Sequence, residues 1–374
     1  MKLAITSPAV SVYSETFILM QRERLPHSLY LSGGPVASET EPFGPIAPQR
    51  SVRGWVESAW AFGVTGEKWK GPQTAEVIRR MRKVGVNVVL ANYGPSGASL
   101  IPVCRRLGIP LVTHFHGYDA HQKKLLVDCA SDYALLAREG AAFIAVSHGM
   151  VKALTELGFP EEKIHLLRYG VDPDRFIQKA DFPCDPLFLG VGRFTDKKAP
   201  YLSLMAFAKA RERLPTARLV LAGEGELLEV AKNIALVSGL KDIVDFPGVL
   251  SPDQVSAYLQ KATAFVQHSI EPLFGSRVGD REGTPVAILE AMMTGVPIIA
   301  TRHAGIGEVV EHGQNGYLVD ERDVSAMAEA MIAVGSSREL AQRLGSGARK
   351  RAIENFTADQ YIGGLREILE RAID

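Results

Sequence analysis

Short runs of apolar, often β-branched residues recur along the chain at 2–6, 86–91, 109–115, 142–147, 187–192, 217–222, 264–268 and 296–301. Their near-continuous apolarity predicts strands buried on both faces, as in a parallel sheet, since a half-exposed strand would alternate. Longer amphipathic stretches between them predict helices over 72–84, 96–107, 122–139, 148–157, 200–213, 226–238, 252–261, 285–294 and 323–334. Strand and helix in alternation is an α/β, doubly wound pattern, and 374 residues are enough for it to occur twice.

Between Tyr169 and Pro186 the periodicity lapses into proline- and aspartate-rich turn chemistry. The expected organisation is a first Rossmann-like domain over 1–170, a linker over 171–186 and a second such domain over 187–355. The remaining residues, 356–374, carry an amphipathic helix at 357–373 with Tyr361, Leu365, Ile368 and Leu369 on one side. Asp172 and Asp174 form a D-x-D pattern that could hold a metal, but Pro173 and its neighbours favour a turn, and no metal is expected. Ligands of open parallel sheets bind beyond the carboxyl ends of the strands. Two sheets facing each other would place an active site in the cleft between them.

Hydrophobic residues are 46% and charged residues 22%, a globular mixture rather than a disordered one. Net charge is zero, yet residues 1–180 carry 21 Lys and Arg against 16 Asp and Glu, and the remainder 21 against 26. That surplus is too small for a general nucleic-acid binder, while a mildly basic first half suits an anionic membrane face. Cys104, Cys129 and Cys184 are widely spaced, which points to a reducing compartment, expected to be the cytoplasm. The sequence opens on a strand pattern rather than a leader, and no apolar run approaches the roughly 20 residues of a membrane span.

The most informative stretch is EGTPVAILEAMMTGVPIIAT, Glu282 to Thr301. Thr284 can cap a helix, Pro285 suits its first turn and Gly295 stops it. The N–H groups at Gly283, Thr284 and Pro285's turn would attract phosphate. Glu282 precedes the helix and Glu290 lies within it, so one carboxylate can reach a donor sugar and the other ribose hydroxyls. The stretch EGTPVAILEAM resembles the two-glutamate signature of glycosyltransferase family 4, among the enzymes of GT-B architecture. The resemblance implies a sugar-hydroxyl role for Glu282 and a ribose role for Glu290.

In GVGRFTDKKAP, residues 190–200, Arg193 and Lys198 match the family's Arg and Lys five positions apart, with Lys197 as the alternative register. Fixed cations there would stabilise charge building on a departing diphosphate without a metal. His116, in HFHGYD at 114–119, resembles the family histidine that contacts the donor sugar near the reacting carbon. The loop 7–17 follows the first strand, leads into a helix that Ser14 could cap, and lacks the adjacent glycines of many relatives. GEGE at 223–226, with Gly223, and FPGVLS at 246–251, with Val249, match loops that flank the nucleotide base in the family.

The resulting expectation is a retaining, metal-independent glycosyltransferase. It would move a sugar from a UDP- or GDP-linked donor to an acceptor hydroxyl, including that of a lipid-linked saccharide in polysaccharide biosynthesis. No cofactor is expected beyond the substrate nucleotide sugar, and no nucleic acid. Three rivals stand beside it: a hydrolase using the two glutamates, a nucleotide-sugar epimerase of the same fold, and a non-catalytic two-domain sugar-binding protein. Trp55, Trp60 and Trp69, near Arg53, Lys68, Lys70 and the run RRMRK at 79–83, have two readings. One is an amphipathic patch on an anionic membrane, the other a helix pair packed onto the first domain.

Overall fold

The computed structural model describes residues 1–8, 15–34, 37–46, 72–275 and 277–374. The chain divides into two compact units. The first comprises Met1–His121, Leu125–Leu167 and Ile362–Asp374, the second Gln122–Lys124 and Arg168–Tyr361.

The first unit is built on β1 (Leu3–Ser7), β2 (His27–Ser32), β3 (Glu39–Glu41), β4 (Gly44–Pro45), β5 (Val88–Asn92), β6 (Leu111–His114), β7 (Ala142–Ala145) and β8 (Ile164–Leu166). They form one sheet in the order β4-β3-β2-β1-β5-β6-β7-β8. β2 to β8 are joined in parallel through β1, and only β3 and β4 add antiparallel pairs. The strand order reverses between β1 and β5, which marks a ligand-binding crevice at their carboxyl ends.

The second unit carries β9 (Leu187–Val191), β10 (Arg218–Ala222), β11 (Val244–Asp245), β12 (Ala264–Gln267), β13 (Ile298–Thr301) and β14 (Gly316–Val319). All pairs are parallel, in the order β11-β10-β9-β12-β13-β14. Counted from β9 this is the dinucleotide-fold order 3-2-1-4-5-6, whose switch point lies between β9 and β12. Phe188, Phe207, Leu219, Met327 and Met331 pack its core. The fold is therefore α/β, with two Rossmann-like parallel-sheet units.

The segment 171–186, expected as a linker, packs within the second unit. Val171 N–H donates to Phe356 O (2.8 Å), and Lys179 N–H donates to Thr294 O (2.9 Å). The expected helix 122–139 is two shorter helices, Lys123–Asp128 and Ala130–Glu139, preceded by the short helix Tyr118–His121. The helix Arg338–Asn355 lies outside the expected set. Its glycines are needed for close packing: a Cβ on Gly345 would stand 2.2 Å from Gly295 O, and one on Gly347 2.3 Å from Gln314 O.

Trp55, Trp60, Trp69, Arg53, Lys68, Lys70 and Ser14 lie outside the described residues. Of the RRMRK run, Arg80 is not a surface charge. It is 8% exposed, pairs with Glu76 at 2.6 Å, and donates to Thr40 Oγ1, Gly44 O and Pro45 O. Among the described residues no helix is long and apolar enough to cross a membrane.

Candidate active site

At the switch point of the second unit, β9 ends and the chain loops through 192–199 before the helix Pro200–Arg211. That loop is zipped to the one after β10: Gly192 N–H donates to Ala222 O (3.0 Å), Phe194 N–H to Glu224 O (2.8 Å) and Leu227 N–H to Phe194 O (3.0 Å). The approach requires glycine at 223, where φ is +133° and a Cβ would stand 2.0 Å from Gly192 O. Gly223 thus fixes the backbone that carries Arg193. Arg193 itself is exposed and has no ion-pair partner among the described residues.

The adjacent lysines part company. Lys197 Nζ is buried against Asp280 Oδ1 (2.9 Å) and Arg281 O (3.2 Å). Lys198 Nζ reaches Glu282 Oε1 at 3.0 Å. Burial alone would raise the Glu282 carboxyl, but Lys198 and Lys197 outweigh it and hold the group down at about 2. Burial lowers the Lys198 ammonium from its ordinary value, with Glu282 opposing the shift. The pair stays ionised because each partner is the other's main counter-charge.

Several groups around Glu282 were not read from the sequence. Ser269 Oγ donates to Glu282 Oε1 (3.2 Å), and Gln267 Nε2 donates to Ser269 Oγ (2.8 Å). The Glu282 N–H donates to His303 Nε2 (3.2 Å), and the ring's other nitrogen, Nδ1, faces Glu321 Oε1 at 2.5 Å. The available signal was position: Gln267 ends β12, Ser269 follows it, and His303 follows β13.

The helix after Glu282 runs Val286–Thr294, with Pro285 at its N-cap and no side-chain cap bond. The cap position thus falls on Pro285, one residue later than the Thr284 expected from the sequence; Thr284 is buried, 3% exposed, beside buried Gly283. Gly295 ends the helix in the left-handed region, φ +81°. Glu290 points from its inner side, 8% exposed, and burial pushes its carboxyl up to about 7, with Arg175 opposing. Val249, beyond β11, is 42% exposed.

In the first unit His116 stands just past β6, half-buried between Phe17 (stacked, centroids 4.4 Å) and Tyr93 (4.5 Å, edge-on). Asn92 Nδ2 donates to Thr6 O and Gln21 Oε1, so its Oδ1 accepts from His116 Nε2–H at 3.0 Å and Nδ1 is the unprotonated nitrogen. Burial, with the His114 ring beside it, keeps His116 neutral far below the usual imidazole range. Asp119, not assigned a role from the sequence, accepts the N–H groups of Gly94, His116 and Gly117 at 2.9–3.0 Å and so fixes this loop. Among the described residues no three His, Cys, Asp or Glu side chains group as a metal site.

Two family models match the chain: Glycosyltransferase Family 4 over residues 34–175, and Glycosyl transferases group 1 over 173–351. The colanic acid biosynthesis glycosyltransferase WcaL of Escherichia coli is 32% identical over 66% of this chain and 61% of its own length. WcaL of Salmonella typhimurium is 30% identical over 76% of this chain and 70% of its own. Among solved structures, Anabaena HepE in complex with UDP-glucose superposes with a TM-score of 0.76 at 18% identity, over 99% of this chain and 100% of that one. The chain belongs to the glycosyl transferases group 1 family and has the GT-B fold.

Proposed function

We propose that the chain transfers a sugar from a nucleotide diphosphate sugar to an acceptor hydroxyl, with retention at the anomeric carbon and without a metal ion. The observation that carries this reading is the Lys198–Glu282 pair at the switch point, with Arg193 on the same loop. As the bond from the sugar C1 to the β-phosphate oxygen breaks, negative charge grows on the diphosphate, and Lys198 and Arg193 offset it. Glu282 accepts from a sugar hydroxyl and Glu290 from the ribose. The acceptor oxygen bonds to C1 on the face the diphosphate leaves, and its proton passes to the departing diphosphate oxygen. No protein nucleophile is needed. Positioning is the protein's main contribution. The family resemblance assigns His116 to the donor sugar, and Gly223 and Val249 to the surroundings of the nucleotide.

The relatives named for colanic acid biosynthesis support a saccharide acceptor in polysaccharide assembly. A lipid-linked acceptor would bring the chain to the cytoplasmic face of a membrane. The test is a thermal-shift screen with UDP, GDP, UDP-glucose and GDP-mannose in EDTA, since a ligand that binds only the folded state raises Tm with its occupancy. A shift with one base series is expected. No shift with any of the four, or shifts that need a divalent ion, would overturn the reading.

A further inference from the structure

Gln267 closes β12 at the switch point with its side chain 5% exposed. It lines a cavity of about 30 Å3 with Lys198, Gly190, Gly192 and Leu221. Its Nε2 donates to Ser269 Oγ, but its Oε1 is buried with no hydrogen-bond partner among the described residues. An unpaired buried amide oxygen costs stability that an apolar side chain of similar size would avoid. What the amide does provide is direction. Because Ser269 Oγ accepts from Gln267, its own hydrogen is sent to Glu282 Oε1. Lys198 Nζ reaches that same Oε1. Both side-chain donors therefore converge on one oxygen of the carboxylate, and Oε2 receives none among the described residues.

We propose that Gln267 is a positioning residue for sugar transfer: by setting the direction of the Ser269 hydroxyl it anchors Glu282 through Oε1 and presents Oε2 to a hydroxyl of the donor sugar. The inference rests on the assignment of Glu282 to the donor sugar made above. The backbone of Glu282 is held independently, through His303 and Glu321, so the relay acts on the carboxylate alone.

The experiment compares Gln267→Glu, Gln267→Leu, Ser269→Ala, the Gln267→Glu/Ser269→Ala pair and Glu282→Gln, each as the full chain. The donor is UDP-glucose or GDP-mannose, whichever shifts Tm in the screen. A carboxylate at 267 can only accept, so it turns the Ser269 hydroxyl away from Glu282. Gln267→Glu and Ser269→Ala are expected to lower kcat about tenfold, with donor KM and calorimetric Kd for the free UDP or GDP within about twofold, as for a misplaced reacting group. The pair should be no slower than Ser269→Ala, since both changes act through one hydroxyl. Gln267→Leu keeps the test open if the Glu variant fails to fold: a lower kcat at an unchanged or higher Tm is expected, whereas a purely structural amide would give a lower Tm at unchanged kcat. Wild-type kcat in the Gln267 variants, or losses that multiply in the pair, would overturn the relay. Wild-type kcat in Glu282→Gln would instead overturn the assignment of Glu282.

Discussion

Lys198 and Glu282 form an ion pair at 3.0 Å while the neighbouring Lys197 is committed to Asp280 at 2.9 Å, so two adjacent lysines have separate duties. Lys198→Ala is expected to lower turnover at least about a hundredfold, as removal of preorganised charge stabilisation does elsewhere. Lys197→Ala breaks a buried pair and should cost about 3–5 kcal/mol in urea unfolding. A Lys197→Ala protein that stays as stable as wild type but loses turnover would reverse the assignment.

Arg193 gives a cleaner separation, because it is exposed and unpaired among the described residues. Arg193→Ala should leave stability within about 0.5 kcal/mol, as ordinary surface changes do. Its turnover should nevertheless fall about a hundredfold. Unfolding curves and saturating-donor kinetics on one preparation decide between a phosphate-facing cation and a bystander.

Glu290 makes the pH dependence testable. Its carboxyl lies at about 7 in the folded chain against an ordinary 4.5, because burial penalises the charge. The folded state therefore holds a proton that the unfolded state has lost between those values. Stability from this group is fully present below pH 4.5 and is lost as pH rises to about 7, by roughly 3 kcal/mol. Glu290→Gln should flatten that slope in urea unfolding at pH 5 and 7. Glu282, held at about 2, has the opposite sign: its contribution is full above pH 4.5 and is lost as pH falls from there through about 2.

The sequence carried the architecture where strands are buried on both faces, as in β5, β9, β12 and β13, because continuous apolar runs survive inspection without context. It did not carry β2, where His27, Ser28 and Ser32 interrupt the run, or β8 and β14, which are edge strands of three and four residues. The helix Arg338–Asn355 was hidden by glycines whose reason is tertiary. At the site, the sequence singled out residues with charge on a motif, Arg193, Lys198, Glu282 and Glu290, of which the structure pairs Lys198 with Glu282. It gave neither Gln267, Ser269, His303 nor Asp119, whose parts are defined by which atom they face. Thr284 shows the same limit, since the cap position falls one residue later, on Pro285.

Gly223→Ala should be poorly tolerated. The residue sits at φ +133° with the Gly192 carbonyl 2.0 Å from where a Cβ would be, so the two loops must separate. A loss of about 2 kcal/mol or more in unfolding free energy is expected from strain of this kind. Nucleotide binding should weaken with it, because the same separation moves Arg193. Wild-type stability would show that the loops yield more easily than their hydrogen bonds imply.

Arg80 anchors its helix to the β3–β4 corner rather than facing solvent. Arg80→Ala leaves a buried hydroxyl and two carbonyls without their donor and should cost about 2–4 kcal/mol. A liposome-binding comparison should accordingly neutralise Arg79, Arg82 and Lys83 and retain Arg80. If that variant loses sedimentation with anionic vesicles at low salt, the basic run contributes to docking; equal sedimentation assigns it no such part.

Calorimetry of the full chain with UDP and with GDP in EDTA tests the central claim most directly. One of the two should bind the wild-type protein without added metal, and bind Lys198→Ala and Glu290→Ala at least about tenfold more weakly, as loss of a charged or hydrogen-bonding partner does. Absence of binding for both nucleotides, or equal affinity in the two variants, would contradict the assignment of this site to a nucleotide diphosphate sugar.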